Sequence, residues 1–156
     1  VAPGHSPGCI NTSDLNMSGI YEFELKGSTA CTDHDQIRVT GTVTLAPATA
    51  ELSTVILPGY TATAGQKYVI VSNDGADAVT GTFKGLVEGA TFTVGNGSFR
   101  ISYVGGDGND IELTVLTVPS APDTGFMLLS ANPALTAVVA VLGAGALLLM
   151  ARRARA

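Results

Sequence analysis

Apolar and polar residues alternate with a period of two through much of residues 19–116. Tyr21, Phe23 and Leu25 alternate with Glu22, Glu24 and Lys26. Ile37, Val39, Val43 and Leu45 alternate with Arg38, Thr40, Thr42 and Thr44. Phe99, Ile101 and Tyr103 alternate with Ser98, Arg100 and Ser102, and Ile111, Leu113 and Val115 with Glu112 and Thr114. Such alternation sets one face of a strand on a core and the other in water. Shorter apolar or β-branched runs at 52–57, 68–72, 79–83 and 91–94 predict further strands. Pro58-Gly59, Asn73-Asp74-Gly75, Glu88-Gly89, Gly95-Asn96-Gly97 and the stretch Gly105 to Asp110 punctuate them as turns. No helical period appears before residue 126. Residues 10–116 are therefore expected to be an all-β outer module, either a β-sandwich or the cap of a β-solenoid.

The pattern then changes twice. Residues 117–125 hold Pro119 and Pro122, which exclude a regular helix or central strand and predict an extended linker. From Phe126 to Met150 no side chain ionises, and only Ser130, Asn132, Pro133 and Thr136 interrupt the apolar run. At ~1.5 Å per residue a helix over 126–150 reaches roughly 37 Å, enough to cross a hydrocarbon core of about 30 Å with some tilt. A buried core helix is the competing reading, but a domain this small has no interior that covers such a segment on all sides. The tail at 151–156 carries Arg152, Arg153 and Arg155. By the positive-inside rule these arginines lie in the cytoplasm and residues 1–125 lie outside.

Charge sharpens this division. The chain has 156 residues and a net charge of −5, and all 13 acidic residues lie between Asp14 and Asp123. With no basic run upstream of residue 150, a nucleic-acid partner is not expected. The length suits one domain and an appendage. The first residue is Val1 rather than Met, so residues 1–9 read as a fragment start or linker. Cys9 and Cys31 are the only cysteines. An even count outside a membrane suits a disulfide closing a loop of about 23 residues, worth ~3 kcal/mol. Two free thiols, or pairing with cysteines further upstream, are the alternatives.

The peptide Ala121-Pro122-Asp123-Thr124-Gly125, the apolar span and the arginines follow one another directly. Each part has a physical job. The proline holds the peptide extended for an enzyme cleft, the Thr124 carbonyl is the electrophile, and Gly125 leaves the approach clear. The span and arginines park the chain in the membrane. This order resembles the C-terminal sorting signal of bacterial cell-wall-anchored surface proteins, whose motif is Leu-Pro-x-Thr-Gly; Ala121 stands where that pattern has Leu. The resemblance implies a sortase whose cysteine attacks Thr124, releases Gly125 to Ala156, and passes the new carboxyl end to a cell-wall precursor or pilin amine. The chain would be a substrate and not an enzyme, displayed at the cell surface through a single-pass membrane intermediate.

Residues 33–45 and 98–115, with Gly81-Thr82-Phe83 and Glu88-Gly89-Ala90, are similar to the closing unit of surface passengers of the autotransporter-repeat kind. That similarity implies a cap on an adhesive or structural stalk, with the extracellular receptor left open. A cap shields the last open rung from edge pairing. Two alternatives stand beside this reading: a membrane-anchored β module that binds a ligand or calcium, and the anchor of an upstream secreted enzyme. The calcium version rests on Gly105-Gly106-Asp107-Gly108-Asn109-Asp110, which matches the start of a calcium-binding nonapeptide. Asp107, Asn109 and Asp110 would supply hard oxygen ligands. Glu112 stands where that repeat wants an apolar residue, only one copy exists, and a glycine-rich hairpin loop is the plainer expectation; no other cofactor is expected. His34 between Asp33 and Asp35 is expected to be a solvated histidine in a turn, not an acid–base catalyst.

Overall fold

The computed structural model describes residues 1–3 and 6–117. The expected transmembrane helix at 126–150, the sorting peptide at 121–125 and Arg152, Arg153 and Arg155 lie outside the described residues. Within them the chain is mainly β: β1 (Cys9–Thr12), β2 (Leu15–Met17), β3 (Ile20–Leu25), β4 (Gln36–Val39), β5 (Val43–Leu45), β6 (Glu51–Ile56), β7 (Lys67–Asn73), β8 (Thr91–Val94), β9 (Gly97–Gly105) and β10 (Asp110–Thr117). Among the described residues no helix is long and apolar enough to cross a membrane.

The first six strands pair in an unusual way. Each of β1, β2 and β3 pairs in parallel with the strand three further along the chain. Cys9 lies opposite Gln36, Leu15 opposite Val43, and Ile20 opposite Glu51. Parallel neighbours require a long crossover, and here the crossover is the remainder of one three-strand rung. β7 adds a third parallel strand beside β4, with Ile37 opposite Val71. On its other edge β7 meets an antiparallel meander, so the large sheet runs β1-β4-β7-β10-β9-β8.

The alternation read from sequence becomes the packing. Tyr21, Phe23 and Leu25 of β3, Ile37 and Val39 of β4, Val43 and Leu45 of β5, and Tyr68 and Ile70 of β7 turn inward and are buried. Phe99, Ile101 and Tyr103 of β9 and Ile111, Leu113 and Val115 of β10 join the same core. The Tyr21 hydroxyl donates to the Ile70 carbonyl at 3.0 Å and so links the first rung to the third.

Three expectations need correction. Residues 1–9 are not merely a lead-in: Cys9 opens β1, and the Glu22 N–H donates to the Val1 carbonyl at 2.9 Å. The alternation over 37–45 is not one strand, because the chain turns a corner between Val39 and Val43. Asp14 fixes that corner by accepting from both the Thr42 N–H (2.8 Å) and the Thr42 hydroxyl (2.9 Å). The strand expected at 79–83 shrinks to two isolated bridges, Thr44 with Thr80 in parallel and Phe83 with Leu86 antiparallel. Gly81 follows Thr80 at φ +83°, and a Cβ there would collide with the Leu45 carbonyl. The extended run cannot continue past such a residue.

Candidate functional site

The acidic loop expected to offer calcium ligands is the hairpin turn between β9 and β10. It interlocks with the loop that leaves β7. Asp110 Oδ1 accepts the Asn73 N–H at 2.8 Å, and the Asp107 N–H also donates to the Asp110 carboxylate. Asn109 Nδ2 donates to the Asp74 and Asp77 carbonyls at 3.1 and 3.3 Å, and Asn73 Nδ2 donates to Asp77 at 2.7 Å. Gly106, at φ +55°, lies so close to the Asp110 carboxylate that any side chain there would collide with it. Burial pushes the Asp110 carboxyl above its ordinary value, the charges of Asp107 and Glu112 add to the rise, and the two backbone amides oppose it.

Asp107, Asn109 and Asp110 are thus brought together on one turn, and Asp110 is already committed to backbone amides. Two oxygens remain without a hydrogen-bond partner, Asn73 Oδ1 and Asn109 Oδ1, both on residues at most 5% exposed. Orphaned buried oxygens of this kind mark a place for water or an ion. Among the described residues no three His, Cys, Asp or Glu side chains group as a metal centre.

The Asp33–His34–Asp35 stretch departs from expectation. His34 is buried, not solvated. Its ring packs edge-on against Phe23 and Tyr68 at centroid distances of 6.0 and 5.4 Å, and Nδ1 lies 3.2 Å from the Gly27 carbonyl. Burial holds its pKa below the ordinary value, against the opposing pull of that carbonyl and of Asp33 and Asp35. Asp35 is fully buried and works as a clamp. It accepts the Gly8 N–H at 2.7 Å and the Glu24 N–H at 3.0 Å, tying the lead-in to β1 against β3. Burial raises its carboxyl pKa, the two amides lowering it in part. Neither oxygen is left for proton transfer to a substrate. Sequence reading missed this clamp because its partners, Gly8 and Glu24, lie 27 and 11 residues away in the chain.

Cys9 and Cys31 form a disulfide, with Cα atoms 4.8 Å apart, which fixes β1 to the loop after β3. A cleft of about 380 Å³ is lined by Ile56, Tyr60, Ala62, Val94 and Asn96. Compared with known proteins, the chain matches no family model, no curated protein and no solved structure.

Proposed function

We propose that this chain is a sortase-processed surface protein of a bacterial cell envelope, a substrate and not an enzyme. The observation that carries the reading is the uninterrupted order of Ala121-Pro122-Asp123-Thr124-Gly125, the uncharged span 126–150 and Arg152, Arg153 and Arg155. In that reading the span crosses the membrane once, with the C-terminus in the cytoplasm. A sortase thiolate adds to the Thr124 carbonyl, the Thr124–Gly125 amide bond breaks, and the Gly125 amine leaves with a proton. An amine of a cell-wall precursor or pilin then displaces the thiol from Thr124, so that the outer module stays on the wall and residues 125–156 stay in the membrane.

We read the outer module as the closing end of a β-solenoid displayed in this way. Its parallel rungs and its antiparallel meander support a cap more readily than a sandwich. The test is incubation of the full chain with a cognate sortase and an amine nucleophile, followed by mass spectrometry. Loss of residues 125–156 and gain of the nucleophile are expected, and Thr124→Ala should abolish both. An intact chain, or cleavage indifferent to Thr124→Ala, overturns the reading.

A second reading, a calcium-binding outer module, is favoured by the unpartnered Asn73 and Asn109 oxygens beside Asp107 and Asp110. A calcium titration that raises the melting temperature supports it, and a flat response removes it.

A further inference from the structure

The two ends of the parallel stack are finished differently. At one end the meander covers β7. At the other, β1 is the outermost strand of the large sheet, and β2 and β3 each have a partner on one side only. The hydrogen bonds show which backbone groups this leaves facing outward. Gly8 and Thr12 carbonyls accept from Gln36 and Thr40, so the N–H and C=O groups of Cys9 and Asn11 point away from β4. Leu15 donates to Thr42 and Met17 accepts from Ala46, so those of Asn16 point away from β5. In β3 the carbonyls of Gly19 and Leu25 accept from Glu51 and Leu57, and the outward groups belong to Ile20, Glu22 and Glu24.

Part of that outward edge is already taken, and the way it is taken is informative. The Val1 nitrogen donates to the Ile20 carbonyl, and the Glu22 N–H donates to the Val1 carbonyl. These two bonds bracket Tyr21 in the pattern of a parallel pair. Val1 therefore occupies, relative to Tyr21, the place Tyr21 occupies relative to Leu52. Glu24 is closed off by Asp35, through both its N–H and its carbonyl. Val1 and Ile20, two of the few large apolar side chains left exposed (59% and 54%), meet at this same edge.

We propose that this face of β1, β2 and β3 is a stacking surface for one more parallel three-strand rung, carried by polypeptide that enters the module through Val1. The proposal deepens the surface-display reading by naming where the stalk joins its cap. Continuity with the Val1–Tyr21 pair sets the register. The entering strand runs parallel to β3 with its last residue beside Tyr21. Its predecessors run along β1 and β2, where Cys9, Asn11 and Asn16 offer backbone donors and acceptors that no other described residue takes. An extended strand gains affinity from such a row and specificity from alternate side chains, here those meeting Ile20 and Val1.

The test extends the full chain, in detergent, with a copy of residues 9–20 joined to Val1, the copy carrying Cys9→Ser. In this chain a copied Ile20 precedes Val1, which takes the Tyr21 position of the new rung. Amide exchange at Cys9, Asn11 and Asn16 should slow at least roughly tenfold. A second extension, with Ile10→Pro and Leu15→Pro in the copy, should lose that protection. Unchanged exchange together with rapid proteolysis of the copy overturns the proposal. So does concentration-dependent protection of the same amides in the unextended chain, which would assign the edge to a second copy. Sortase cleavage is read separately, so its failure leaves this result standing and the reverse.

Discussion

The parallel rungs β1–β6 and the antiparallel meander β7–β10 share one core but are built by opposite means. Rung strands have three to six residues, and each meets its partner only after a whole rung of intervening chain, a period of roughly 30 residues. β9 and β10 have nine and eight residues and are joined by a tight turn. A long hairpin with one buried face can hold its own register. A three-residue strand such as β2 cannot, and must be held from outside its own length. That explains where the auxiliary ties of this module lie. Asp14 fixes the corner at Thr42, Asp35 clamps Gly8 and Glu24, and Cys9–Cys31 anchors β1. In the meander the corresponding carboxylate, Asp110, joins the hairpin to β7 through Asn73 and takes the Asp107 N–H within the turn itself.

The largest test of this contrast is whether the two regions unfold together. Phe23→Ala in the first rung and Phe99→Ala in the meander each remove a fully buried ring, and each should cost ~3–5 kcal/mol. Urea unfolding followed by tyrosine fluorescence should give one transition in both variants, because the two rings belong to one core. A Phe99→Ala protein that loses the meander and keeps the rungs in a separate transition would break the shared-core description.

Next in size is the disulfide. Its loss through Cys9→Ser together with Cys31→Ser should cost ~3 kcal/mol. The loss should be spatially uneven, with amide exchange accelerating over β1 and the loop after β3 before it does so in β9 and β10. Uniform acceleration would mean that the rungs do not depend on the tie more than the meander does.

The two buried carboxylates allow a closer comparison. Asp35→Ala and Asp110→Ala each strand two backbone N–H groups, at a cost of ~1–3 kcal/mol per group left without a partner. Asp35→Ala should loosen the lead-in and β3. Asp110→Ala should free the hairpin from Asn73 and leave the rungs intact, as exchange at Gly8 and Asn73 will report. Equal effects at both sites from either variant would refute the division of labour.

The same physics decides what was legible in the sequence. β3, β6, β7, β8, β9 and β10 were readable because four or more residues kept a coherent apolar or alternating pattern. β1 and β2 were not, since runs of three or four residues such as Leu15, Asn16 and Met17, half-buried, exposed and buried in turn, are too short to establish a period. The corner at Thr40–Thr42 was hidden because Val39 and Val43 keep the parity of a continuous strand across it. His34 was misread because its neighbours are acidic, whereas its own ring is enclosed by Phe23 and Tyr68, residues 11 and 34 positions away in the chain. Parallel pairing across a whole rung leaves no local mark in the sequence. The proposed sorting signal at Ala121–Gly125 rests on residue order alone, because a sortase would read such a signal as a short peptide.

His34 provides the finest probe of rung against meander. Its folded pKa lies below the unfolded value of 6.5, chiefly through burial, so the unfolded chain binds the extra proton first. The stabilising contribution of neutral His34 is complete above pH 6.5 and is lost as the pH falls through the depressed folded value. Asp35 and Asp110 act in the opposite sense. Their folded values are raised, so their contribution is complete below the unfolded value of 3.8 and is lost as the pH rises through the folded ones. As the pH falls below 6.5 the His34 contribution should lower stability, and its variant separates that decline from the opposite contributions of Asp35 and Asp110. His34→Phe keeps a ring between Phe23 and Tyr68 and removes the titrating group, so its unfolding free energy should lose that decline. If wild type and variant keep the same slope, the decline comes from elsewhere and the first rung carries no acid-sensitive contact.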